Sequence, residues 1–146
     1  MGWNIMLNEN KSITVDGADI GLIGVENWGK GFKTVGDLSR AYQGMEEKDF
    51  KILLSHDPSH WREQVIPGFS DIDLTLSGHT HGMQFGIEIG DFKWSPVQYR
   101  YKEWAGLYTE GKQNIYVNRG YGFLAFPGRV GILPEITILE LKRGVG

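Results

Sequence analysis

Three short apolar runs, each ending in a polar cluster, limit how this chain can fold. Phe50-Lys51-Ile52-Leu53-Leu54-Ser55 leads into His56, and Ile72-Asp73-Leu74-Thr75-Leu76 leads into Ser77-Gly78-His79-Thr80-His81. Asn114-Ile115-Tyr116-Val117 leads into Asn118-Arg119-Gly120. Short runs of this kind, bounded by Gly, Asn, Asp and Ser, read as buried strands. In open sheets with parallel strands, ligands gather outside the carboxyl ends of the strands. If these three run parallel, His56, His79, His81 and Arg119 converge on one edge of a sheet.

The rest of the chain supplies the other layers. Residues 12–15 and 20–25 read as strands joined by Asp16-Gly17, a two-residue hairpin signal. Residues 5–7 read as a further short strand. Asp37 opens a helix over 37–43, with Leu38, Ala41 and Tyr42 on one face and Gly44 at its end. Asp57-Pro58 is a helix start, with Asp57 as N-cap and Pro58 in the first helical position; that helix runs through Trp61 towards Val65. Residues 85–89 fit a strand or a loop leaving the histidines. Pro96 argues against a central strand in the aromatic-rich stretch 94–108. Residues 135–141 alternate cleanly and are expected as the last strand, buried on one face. Strands separated by helices and mixed with hairpins predict an α+β chain: mixed sheet with flanking helices, one domain over 1–146.

Composition removes several classes of function. A net charge of -3 argues against a general nucleic-acid binder, while leaving phosphorylated small molecules and lipids open as substrates. With no cysteine, any metal must be held by His, Asp, Glu or Asn, ligands suited to zinc, manganese, iron or magnesium. No apolar run approaches the roughly 18 residues of a membrane span. A cytoplasmic location, or the cytoplasmic face of a membrane with any anchor upstream, is the expectation.

A lone histidine at a strand end is usually a polar loop residue. A His-x-His between glycines, joined by a third histidine after another apolar strand, is a metal-site pattern. In an extended backbone, two histidines two residues apart project to one face. Three imidazoles fit a mononuclear zinc site with an open position, or half of a two-metal site whose bridging carboxylate the sequence does not offer. His60, four residues beyond His56, is expected to face solvent or to support the site from behind. Arg119 and Arg129 stand in Gly-rich loops where either could meet a phosphate oxygen. Gly24-Val25-Glu26-Asn27-Trp28-Gly29-Lys30-Gly31 only superficially resembles a phosphate-binding loop. Gly31 replaces the Ser or Thr that would hold magnesium, and Glu26 would repel phosphate.

Four segments in order carry a resemblance: Ile52-Leu53-Leu54-Ser55-His56-Asp57-Pro58; Leu76-Ser77-Gly78-His79-Thr80-His81-Gly82-Met83-Gln84; Tyr116-Val117-Asn118-Arg119-Gly120-Tyr121-Gly122; and Pro134-Glu135-Ile136-Thr137. From about Ile5 to Leu141 the chain resembles the C-terminal part of calcineurin-like metallophosphoesterases. It looks most like the bacterial membrane-associated branch that includes phosphodiesterase and UDP-2,3-diacylglucosamine pyrophosphatase-like members. The resemblance implies part of a sandwich of two mixed β-sheets, two divalent metal ions, and hydrolysis of phosphomonoesters, phosphodiesters or pyrophosphates. It implies that His56 and His79 bind the second metal and His81 the first. Gln84 and Arg119 fall in segments that line the substrate site.

The family's Asp-x-His, Gly-Asp and Gly-Asn-His blocks have no counterpart here, so the bridging aspartate and the histidine that acts as general acid are missing. The chain then reads as a portion carrying three ligands, with partial metal binding or none, little or no hydrolysis alone, and a tendency to self-associate through uncovered edges. The alternatives are a non-catalytic module that binds a metal or a partner, and a mononuclear three-histidine zinc hydrolase.

Overall fold

In the computed structural model, which describes residue 2 and residues 4–29 and 35–142, the chain is organised on one six-stranded mixed sheet in the order β1-β2-β3-β4-β8-β7. The strands are β1 (Glu9–Val15), β2 (Ala18–Gly24), β3 (Phe50–Leu54), β4 (Leu74–Ser77), β7 (Gly106–Glu110) and β8 (Gln113–Val117). A separate antiparallel hairpin joins β5 (Ile87–Ile89) to β6 (Phe92–Trp94). This is the α+β class that the alternation of strands and helices predicts.

The outer hairpin forms because Asp16 and Gly17 both take positive φ, 50° and 76°, which places Val15 opposite Ala18. That turn twists in the same sense as its strands. Inside the sheet, β2, β3, β4 and β8 run parallel. β7 then returns antiparallel to β8 and closes the far edge.

Two helical segments cover one face. Asp37 caps α1 (Leu38–Tyr42), its carboxylate accepting from the Arg40 N–H at 3.0 Å. The segment after β3 starts where Asp57 accepts from the Ser59 N–H at 2.9 Å. It then widens into a π-helical turn, Trp61–Val65, in which the Ile66 N–H reaches back to the Trp61 carbonyl. It continues past the expected end at Val65 as α2 (Ile66–Gly68). The wide turn stands immediately before Pro67, which has no N–H to continue a regular ladder. Beneath these helices lies the main core, where Ile23, Leu53, Ile115 and Val117 from the sheet meet Leu38, Ala41, Trp61 and Val65. A smaller core of Val97, Trp104, Ala105 and Ile132 sits under the connection that follows β6.

The opposite face of the sheet carries Leu22, Ile52, Leu54, Leu76 and Tyr116, all only half-buried. Two expected strands are absent. Residues 5–7 are irregular, with Ile5 and Leu7 exposed. Residues 135–141 belong to no strand, and Ile136 and Ile138 are 83% and 94% exposed. A strand exists only through a neighbour that completes its hydrogen bonds. Among the described residues, one main-chain bond ties the segment down, from the Glu135 N–H to the Gly120 carbonyl. Of the Gly24–Gly31 stretch, Lys30 and Gly31 lie outside the described residues.

Candidate functional site

The parallel run of β3, β4 and β8 brings the three polar clusters to one edge. The strand ladder continues past the strands and holds the loops side by side. Ser55 N–H donates to the Leu76 carbonyl at 3.1 Å, Gly78 N–H to the His56 carbonyl at 3.1 Å, and Asn118 N–H to the Ser77 carbonyl at 2.8 Å. His56 and His79 meet edge to face, with ring centroids 5.0 Å apart and planes at 85°.

The histidine-bearing loop is not an extended strand. His79, His81, Met83 and Gln84 all have φ between 50° and 66°, and Gly82 has φ 57°. Left-handed backbone at non-glycine residues costs roughly 1–2 kcal/mol each and persists only where the surroundings hold it. Here Thr80 holds the loop: it is buried, donates to the Trp104 carbonyl at 2.8 Å and accepts from the Gly82 N–H at 3.3 Å. His79 and His81 therefore share this edge through a tight loop, not through strand alternation.

Each imidazole has a distinct environment. His79 Nε2 lies 2.8 Å from the Tyr101 hydroxyl. His81 Nδ1 is buried with no hydrogen-bond partner. Burial holds His56 below the usual imidazole range, helped by His79 and His81 and opposed by Asp57. Burial also lowers His81, with Arg129 and His79 adding to it. Both rings are thus biased towards the neutral form, the form that offers a lone pair to a metal. A cavity of about 220 Å³ is lined by Asp57, Ser59, Glu63, Arg100 and Tyr101, which include the neighbour of His56 and the partner of His79 but no histidine.

The other predicted residues are committed elsewhere. Gln84 is fully buried; its amide donates to the carbonyls of Phe126 and Gly128 at 2.9 and 2.5 Å and accepts from the Leu124 N–H. It pins the loop around Leu124, Phe126 and Gly128. Arg119 donates to Glu88 at 2.7 Å and to Glu135 at 2.8 Å, so two carboxylates neutralise it. Asp57 spends one carboxylate oxygen on the Ser59 N–H and hydroxyl.

Three residues gain a role here that the sequence does not assign. Tyr101 meets His79, and nothing distinguishes it within the aromatic stretch. His60 does not face solvent: it is 1% exposed, stacks on Trp28 with centroids 4.8 Å apart, and links Ser55 and Gln64 at 2.8 Å each. The i, i+4 spacing of His60 and Gln64 on a helix is the signal that marks this pair. Arg129 reaches the main chain of the histidine loop, donating to the His81 carbonyl at 3.2 Å.

Part of this sequence is similar to known proteins. YkuE, an uncharacterised metallophosphoesterase of Bacillus subtilis, is 38% identical over 109 residues, covering 73% of this chain and 35% of its own length. A transmembrane protein with a metallophosphoesterase domain from Danio rerio is 35% identical over 109 residues, 73% of this chain and 23% of that protein. The chain belongs to the metallophosphoesterase family. Escherichia coli phosphodiesterase YaeI adds 34% identity over 91 residues, 62% of this metallophosphoesterase chain and 32% of YaeI. The chain thus spans about a third or less of the length of these relatives. No protein-family model and no solved structure matches it. Among the described residues, no helix of this metallophosphoesterase is long and apolar enough to cross a membrane.

The family implies divalent metal ions, and the donor set tests whether these residues alone can hold them. Among the described residues, no three His, Asp or Glu side chains come together in a group able to hold an ion. His56 and His79 meet, but the carboxylates of this region are engaged: Asp57 with Ser59, Glu88 and Glu135 with Arg119, and Glu26 with Asn8 at 2.8 Å. As it stands, the set does not fit a closed two-metal site.

Proposed function

We propose that this chain contributes the three-histidine part of a two-metal phosphoesterase site, with His56 and His79 on one ion and His81 on the other. The observation that carries the reading is the edge-to-face meeting of His56 and His79 beyond the carboxyl ends of the parallel strands β3 and β4, with His81 on the same loop and its Nδ1 buried and unpartnered. A buried polar atom without a partner asks for one. Three imidazoles without a bridging carboxylate do not complete a two-metal clamp. The remaining ligands and the proton donor must come from outside these residues, and the 146-residue chain alone hydrolyses little or nothing. The whole protein's substrate is a phosphorylated small molecule or a lipid-linked phosphate, and its ions are manganese, iron, zinc or magnesium. It acts in the cytoplasm or at the cytoplasmic face of a membrane.

The half-buried apolar face of the sheet and the unpaired segment 135–141 also favour self-association of the isolated chain, with a second copy covering what is bare. Sedimentation at high concentration reads this directly, and a strict monomer contradicts it.

The test of the site uses manganese, whose paramagnetism broadens nearby NMR signals. Broadening confined to His56, His79 and His81, without hydrolysis of bis(p-nitrophenyl) phosphate by the 146-residue chain, is the expected result. Robust manganese-dependent hydrolysis by this chain, abolished in His79→Ala, overturns the claim that it is inactive alone. Manganese that leaves all three histidines unaffected overturns the ligand assignment.

A further inference from the structure

The two arginines beside the histidine loop have opposite surroundings. Arg119 is neutralised by Glu88 and Glu135. Arg129 has no carboxylate paired with it among the described residues. It is held only by main-chain carbonyls: Nη1 donates to His81 at 3.2 Å, and Nη2 donates to Arg119 and Gly122 at 2.9 Å each. These three bonds use three of the five donors of a guanidinium. Its Nε–H is buried with no acceptor. The residue as a whole is half-buried. Carbonyls position a cation without cancelling its charge. Buried donors without acceptors are rare enough in folded proteins that each asks for a missing partner.

We propose that Arg129, not Arg119, is the phosphoryl anchor of this site, its guanidinium fixed against the His81 backbone so that its remaining Nη1 N–H takes an oxygen of the substrate's phosphate. The inference rests on the phosphoesterase reading above and extends it to the residue that binds the anion. A guanidinium suits this task because its donors are planar, spaced for phosphate oxygens, and charged at every relevant pH. Its attachment to the carbonyl of a proposed metal ligand ties anion and ion positions together. The sequence alone favours Arg119, which adjoins the strand-end asparagine; the carboxylates of Glu88 and Glu135 remove that candidate.

The experiment is NMR of the intact 146-residue chain labelled with 15N-arginine, titrated with inorganic phosphate at constant ionic strength. The expected result is a saturable shift of the Arg129 Nε–H signal, absent with chloride and absent at Arg119. An Arg129 signal that does not move, or that moves equally with chloride, overturns the proposal, and neither reading depends on a variant that folds. If Arg129 stays still while manganese broadens the three histidines, the anchor is wrong and the histidine reading stands. If phosphate shifts Arg129 while manganese leaves the histidines untouched, the anion anchor stands and the metal reading falls. In the whole protein, Arg129→Lys is expected to raise KM by about tenfold or more, with a smaller change in kcat. An unchanged KM counts against it.

Discussion

Glu135 opens the segment that alternates like a strand without being one, and its removal tests what holds that segment down. Its Oε2 accepts from Arg119 Nε at 2.8 Å and from the Arg119 N–H at 3.3 Å. Its Oε1 accepts from the hydroxyls of Tyr116 at 2.5 Å and Thr137 at 2.7 Å. Burial would raise its pKa, but the bonds from Tyr116, Arg119 and Thr137 outweigh it and hold the carboxyl at about 2, against an ordinary 4.5. That gap converts to about 3 kcal/mol, which solvent screening at this half-buried position reduces to about 2 kcal/mol. A second route gives a similar figure. In Glu135→Gln the amide nitrogen can face the two hydroxyls, which rotate to accept, so the main loss is the charge opposite Arg119. A hydrogen bond to a charged group contributes about 1.5–3 kcal/mol, roughly twice a neutral one. Urea unfolding at pH 7 should therefore show a loss of about 2 kcal/mol at unchanged denaturant slope. The sign with pH follows from the depressed pKa: the carboxylate's contribution is complete above pH 4.5 and fades as pH falls towards 2. Wild type and variant should converge over that window. A difference below about 0.5 kcal/mol at pH 7, or one that stays constant down to pH 2, would refute the assignment of Glu135 as the counter-ion of Arg119.

Gln84→Ala removes an amide that makes three bonds to the loop around Leu124, Phe126 and Gly128, and should lower stability by about 1–3 kcal/mol. Limited proteolysis should then cut near that loop first. His60 is held below the usual imidazole range by burial, against the pull of Gln64 and Asp57, so its neutral form supports the fold. That support is complete above pH 6.5 and declines as pH falls below it, so the thermal midpoint should drop from pH 7.5 to 5.5 less in His60→Gln than in wild type. Gly131 has φ 69°, and a Cβ there would lie 1.8 Å from the Gly86 carbonyl oxygen. Gly131→Ala should break the bridge between Phe85 and Val130 and expose Ile132, read as a cooperative loss of Trp104 burial by fluorescence.

The features legible in the sequence are those that local chemistry decides. The Asp16-Gly17 turn, the Asp37 and Asp57 caps, and the apolar runs of β3, β4 and β8 each follow from residues within a few positions of one another. The meeting of His56 and His79 needs one further premise, that β3 and β4 run parallel, and the strand pairing supplies it. The failures share a physical cause: they depend on partners distant in sequence. Alternation over 135–141 states which face a strand would bury, but only a neighbour makes it a strand, and its exposed Ile136 and Ile138 show that neighbour missing among the described residues. The same logic separates Arg119 from Arg129. Both stand in Gly-rich loops, and nothing local says that Glu88, thirty-one residues away, and Glu135, sixteen away, close on Arg119 while Arg129 finds only carbonyls. The residue that meets the anion is selected by which cation the fold leaves unneutralised.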